Sequence, residues 1–166
     1  MRMPALRQKT MNATHFHLAI NHLPVLGLFF GLGILIVGRF IHSGVTQRVG
    51  FWLCVAAGGL AIPAYLTGEP AEEVVEKMPS ISKALIEQHE EAASIALAAT
   101  LLVGTLALGA LFLARGARPI STLSFSIVTA TALGAFACIA WTAKLGGEIH
   151  HPEIRAGQTP AAAHDD

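Results

Sequence analysis

Apolar residues in this chain gather into four runs, Leu18–Val37, Phe51–Leu66, Ala92–Ala114 and Ile120–Ala143, and every charged residue lies outside them. A helix needs roughly 20 residues to cross the ~30 Å hydrocarbon layer, so the pattern predicts four spanning helices, near residues 15–41, 50–68, 80–115 and 119–151. The second run is the shortest. Its Tyr65-Leu66-Thr67-Gly68 end suits the headgroup level, and a small tilt or local thinning covers the remainder. Between the second and third spans, Glu69-Pro70 has the form of a helix start, with Pro in the first turn and acids close behind. A short interfacial helix is therefore expected near 70–78. The predicted fold class is all-α, a four-transmembrane-helix bundle over residues 15–153, with an N-terminal tail at 1–14 and a flexible C-terminal tail at 154–166.

The chain also reads as two similar halves. Asn21-His22 leads through a span, an Arg-bearing turn and a second span to Leu66-Thr67-Gly68-Glu69. Gln88-His89 leads through the same sequence of features to Leu145-Gly146-Gly147-Glu148. Two duplicated helical hairpins would bring His22, Glu69, His89 and Glu148 to similar heights at one end of a single bundle. Small residues support close packing: Ala19, Gly27 and Gly31 on span one, and more loosely Gly104 and Gly109 beside Leu108 on span three.

Composition agrees with a membrane chain: of 166 residues 53% are hydrophobic and 13% charged, and the mean hydropathy is +0.56. Eleven basic and eleven acidic residues balance, which speaks against nucleic acid as a partner. Arg2, Arg7 and Lys9 precede an apolar run too long for a signal-peptide core, with no small-x-small cleavage site after it, so the segment is expected to be retained. Cys54 and Cys138 sit inside apolar runs without CxxC or CxxCH spacing and read as small hydrophobes. Charge is divided between the two ends of the bundle. The short turns hold Arg39, Arg48, Arg115 and Arg118 and no acid, whereas every Asp and Glu and seven of the eight His fall at the opposite end.

That opposite end carries the candidate chemistry. In THFHLAINHLP, His15 and His22 share one helix face and His17 and Asn21 share another. His22 lies deepest in the apolar run, so its burial calls for a partner. In EQHEEAAS, His89 continues the stripe of Ala92, Ala93 and Ala96, while Glu87 and Glu91 share a different face suited to solvent. In GGEIHHPEI, Glu148 and His151 stand three apart, a Glu-x-x-His arrangement that offers a carboxylate and an imidazole to one metal. Singly, each of these groups reads as an interfacial polar residue. Together they would leave several polar groups partly desolvated unless a cation or cofactor satisfied them.

With these residues assembled, the chain resembles an uncharacterised family of small four-helix bacterial membrane proteins. That family opens its first helix with His-Pro-x-x-x-His-Phe-Pro and closes its last with Gly-Gly shortly before a His. The matching stretches are His17-Leu18-Ala19-Ile20-Asn21-His22-Leu23-Pro24 and Gly146-Gly147-Glu148-Ile149-His150-His151, with Leu18 in place of the first Pro and Leu23 in place of the Phe. Relatives of that family are sometimes joined to Rieske or cytochrome c domains. The resemblance thus implies a redox setting in the bacterial cytoplasmic membrane, with both termini and the His/Glu end in the periplasm and a Rieske-type or cytochrome c partner there. Charge alone leaves orientation open, because the His/Glu end has seven Lys and Arg against four in the turns.

The sequence reading is a membrane metal protein whose ligands are His22, Glu69, His89, Glu148 and His151, with His17 and Glu90 as further ligands or orienting groups. Mixed imidazole and carboxylate ligation suits iron, copper, zinc or manganese, in a mononuclear or dinuclear site. The alternative is a b-type haem held axially by His22 and His89. A third reading is a non-catalytic subunit of a respiratory or transport complex, and self-association into a homo-oligomer is compatible with all three.

Overall fold

The computed structural model describes residues 15–75, 82–116 and 118–151, so the tails at 1–14 and 152–166 and the end of the expected interfacial helix lie outside the described residues. Helix α1 spans His22–Phe40. It is joined through a turn at Asn21 to helical residues 15–20, so that His15–Phe40 forms one membrane-capable span of 26 residues. The turn has a local cause, since Pro24 has no N–H to give the Ile20 carbonyl. Asn21 keeps helical dihedrals (φ −60°, ψ −23°), and its N–H still reaches the His17 carbonyl at 2.9 Å.

Helix α2 covers Gly44–Leu66 and begins ahead of the expected start near 50. Ser43 supplies the reason: its hydroxyl accepts the Thr46 N–H at 3.2 Å, a side-chain N-cap that lets the polar Thr46-Gln47-Arg48 segment join the helix. Helix α3, Gly68–Val75, follows after the single turn residue Thr67. Helices α4, Lys83–Leu113, and α5, Thr122–His150, complete the fold, the latter capped by Ser121, which accepts from the Ser124 N–H at 3.0 Å. Four helices are long and apolar enough to cross a membrane, and the described residues contain no strand.

The bundle is two antiparallel hairpins, α1–α2 and α4–α5, joined mainly through α2 against α4 and over a smaller area through α1 against α5. Glycine sets the closeness of the first two contacts. A Cβ on Gly58 would lie 3.1 Å from the Gly104 Cα, so α2 and α4 cross backbone to backbone at that point. Along the first hairpin, a Cβ on Gly27 would meet the Ala57 Cβ at 3.2 Å and one on Gly31 the Cys54 Sγ at 3.1 Å. Gly109 and Ala19, by contrast, face outward. Leu28, Leu35, Phe51, Cys54, Val103 and Val128 fill the interior, with Thr100 buried among them and donating its hydroxyl to the Ala96 carbonyl. The seam between α1 and α5 is bridged by Phe29 against Phe136, with ring centres 6.1 Å apart, and by Arg39 over the Phe125 ring. Large apolar side chains such as Phe40, Trp52, Phe112 and Leu123 point outward, as helices facing lipid require.

At the arginine-rich end, Arg48 ties the hairpins together. Its guanidinium donates to the carbonyl oxygens of Ala114 at 2.6 Å and Arg118 at 2.8 Å, satisfying the end of α4, where carbonyls lack helical partners. Arg48→Ala is expected to lower stability by about 1–2 kcal/mol, chiefly the loss of the charge-assisted bond to the partly buried Ala114 carbonyl, the bond to Arg118 being exposed. Thermal unfolding in detergent checks this. Both bonds come from one terminal nitrogen, Nη2, so Arg48→Lys, whose ammonium also carries several donors, should recover part of the loss.

Candidate functional site

The inner stripe of α1 explains which polar groups enter the bundle. Leu28, Gly31, Leu35 and Gly38 are buried at alternating steps of three and four residues, the spacing that keeps one helix edge against a neighbour. Continued toward the N-terminus through buried Pro24, the same steps reach Asn21 and His17. His22 falls on the opposite side. Its ring is exposed, and its Nδ1 lies 2.7 Å from the carbonyl of Leu18 on its own helix. Depth within the apolar run favours His22 as the inward residue, but helix phase places His17 there.

His89 occupies the corresponding place on α4, one turn ahead of buried Ala92 and Ala96. Each imidazole leans on the second helix of its own hairpin. His17 Nδ1 is 3.0 Å from the Thr67 hydroxyl, which lies 2.9 Å from the Pro63 carbonyl and 3.0 Å from the Ala64 carbonyl. His89 Nδ1 is 3.0 Å from the backbone carbonyl of Thr142, which can only accept. Nδ1 of His89 therefore carries a hydrogen, while the direction of the His17–Thr67 bond follows the His17 tautomer. The two rings also lie within electrostatic range of each other, from opposite corners of the bundle.

Glycines make room for the rings. A Cβ on Gly146 would stand 3.1 Å from the His89 Cε1, and one on Gly68 would stand 3.7 Å from the His17 Cε1. The paired endings LTGEP and LGGEI thus have parallel uses: Thr67 and Gly68 receive the His17 ring, and Thr142 and Gly146 receive that of His89. Gly146→Ala should displace the His89 ring by a few tenths of an ångström, and a ligand bound through it should weaken by about tenfold. Isothermal titration against the parent protein checks that expectation.

The remaining sequence candidates occupy other surroundings. Glu69 is exposed in the first turn of α3, and Glu90 is exposed on α4. Glu148 is mostly covered, with its Oε1 3.5 Å from the Lys144 Nζ one turn away on α5. His151, exposed, forms the C-cap of α5, its N–H bonded to the Gly147 carbonyl at 2.9 Å. Among the described residues, no three His, Cys, Asp or Glu side chains are grouped so as to hold a metal ion. His17 and His89 are both half-buried on the inner side of that end. On the same stripe as His17 and one turn deeper, the Asn21 Oδ1 is buried without a hydrogen-bond partner among the described residues.

Asn21, Thr67 and Thr142 are the residues that ligand-type reasoning passes over, because none is a usual metal ligand. The phase of the Leu28–Gly31–Leu35 stripe was the signal that could have found Asn21. Nothing in the sequence marks the Thr142 backbone carbonyl. No protein-family model, curated protein or solved structure matches the chain.

Proposed function

We propose that the chain is an integral membrane protein that holds a transition-metal ion between His17 and His89 at one end of the bundle. The observation that carries this reading is that His17 and His89, from the first and third spans, are both half-buried on the inner side of the same end of the bundle and are each anchored through Nδ1, one on the Thr67 hydroxyl and the other on the Thr142 carbonyl. Imidazole ligation suits copper, zinc or iron. The likeness of the end motifs to a family joined with Rieske and cytochrome c domains directs that ion toward electron transfer, with the site on the periplasmic side of a bacterial cytoplasmic membrane.

One observation favours a second reading, a b-type haem. Haem asks the protein for just two axial ligands, and small residues at the helix ends, Gly68 and Gly146, let each imidazole sit close against its neighbouring helix. Elemental analysis and a visible spectrum of the full chain purified in detergent separate the two. The proposal expects about one transition-metal ion per chain and no Soret band. A Soret band with stoichiometric iron would replace the bare ion with haem, and neither metal nor haem would refute both readings. Orientation is tested separately: a reporter that works only outside the cytoplasm, fused after Asp166, is expected to be active, and activity of a cytoplasm-dependent reporter at that position would reverse it.

A further inference from the structure

We infer that a cleft at the arginine-rich end of the bundle binds the headgroup of an anionic phospholipid, phosphatidylglycerol in its simplest form, through Arg115 and Arg118. The cleft lies at the opposite end from His17 and His89, so the inference stands apart from the proposed metal site. It has a volume of about 420 Å³ and is lined by Phe112, Leu113, Arg115, Gly116 and Arg118, which falls within the ~300–1,000 Å³ of small-molecule sites. The lining divides into two parts. Phe112 and Leu113 close the apolar span Lys83–Leu113 and are largely exposed, so they stand where hydrocarbon gives way to headgroups. Arg115 and Arg118 follow directly, on a turn made by Gly116 at a φ of +68°. An apolar wall beside a pair of guanidinium groups at that depth matches a lipid, whose acyl chain meets the wall while its phosphate meets the cations.

Charge at this end has no balance within the turns. Residues 38–50 and 115–119 hold Arg39, Arg48, Arg115 and Arg118 and no Asp or Glu, so a counter-anion has to come from outside them. The four are not equivalent. Arg48 is spent on the carbonyls of Ala114 and Arg118, and Arg39 lies over the Phe125 ring. Arg115 is held in place with its Cζ 3.3 Å from the centre of the Phe112 ring and its Nε donating to the Phe112 carbonyl at 3.0 Å. Its terminal N–H groups are thereby left for a second acceptor, and a phosphate diester takes two parallel bonds from such a fork. The carbonyl end of a helix would ordinarily repel an anion. Here Arg48 and Arg115 cover the Ala114 and Phe112 carbonyls, which removes that obstacle.

Native mass spectrometry of the full chain, released from detergent micelles carrying either phosphatidylglycerol or net-neutral phosphatidylcholine, reads bound lipid directly. Phosphatidylglycerol is expected to be retained about fivefold or more above phosphatidylcholine. Arg115→Gln and Arg118→Gln should each lower that retention by about fivefold, the effect of one basic residue on an anionic lipid. Both side chains are exposed, and Arg48 uses only the backbone carbonyl of Arg118, so thermal unfolding of both variants in lipid-free detergent should match the parent. Arg39→Gln, at the same end but outside the cleft, should keep the parent's lipid. Equal retention of the two lipids overturns the inference. So does an equal loss in Arg39→Gln, which would mean attraction to the whole basic end and no site. Displacement of phosphatidylglycerol by millimolar inorganic phosphate overturns it as well, since the cleft would then belong to a free anion.

Discussion

Metal bound by the purified chain is expected to fall below about a tenth of the parent level in His17→Ala and in His89→Ala, while His22→Ala keeps full occupancy. The contrast follows from helix phase. His17, on the helical turn that leads into α1, and His89, on α4, lie on the inner sides of their spans, with Nδ1 of each against the Thr67 hydroxyl and the Thr142 carbonyl. His22 points away from the bundle and bonds to its own helix. The double substitution at His17 and His89 should do little more than either single one, because two ligands of one site act as a unit and their effects do not add. Metal per chain, measured on all four variants and the parent under the same conditions, decides the matter. Loss of metal in His22→Ala with retention in His17→Ala would reverse the assignment of the inward face.

The second large effect is expected where glycine lets the first hairpin close. A Cβ on Gly50 would lie 2.7 Å from the Leu35 Cγ and 2.8 Å from the Leu35 backbone nitrogen, and one on Gly38 would lie 2.7 Å from the Gln47 nitrogen. Backbone cannot retreat as a flexible side chain can, so Gly50→Ala and Gly38→Ala should each destabilise the fold by about 1–3 kcal/mol despite the better helix propensity of alanine. Gly58→Leu, placed against the Gly104 Cα, should go further and separate α2 from α4. Gly33, Gly109 and Gly134 have open space around them and serve as controls, where alanine should be neutral or stabilise by up to about 1 kcal/mol. Thermal unfolding in one detergent measures the set, and equal effects at Gly33 and Gly50 would contradict this packing.

Four spanning helices are legible from the sequence because each apolar run is long and free of charge, and hydrocarbon tolerates no other backbone arrangement of that length short of a closed barrel. The early start of α2 was less legible. It depends on the Ser43 cap, and Thr46-Gln47-Arg48 look like loop residues until Arg48 is seen reaching across to the end of α4. At the candidate site the sequence points to the same end of the bundle as the proposal does and includes His89, and it draws attention to the two Gly-Glu endings. It misleads over His22 because depth in an apolar run says nothing about which side of the helix a residue occupies. Gly68 and Gly146 were the informative letters of those endings, since each meets an imidazole. Glu69, next to one of them, is exposed.

The most direct test of the central claim is to load the full chain in detergent with one equivalent of Cu(II) and count the coordinated imidazoles by pulsed electron paramagnetic resonance. Copper bound through one ring nitrogen leaves the remote nitrogen of each imidazole to modulate the signal, so the technique reads the number of coordinated histidines. The account predicts modulation from two imidazoles in the parent and in His22→Ala, and none in the double substitution of His17 and His89. The same two-imidazole signal persisting in that double substitution would contradict it.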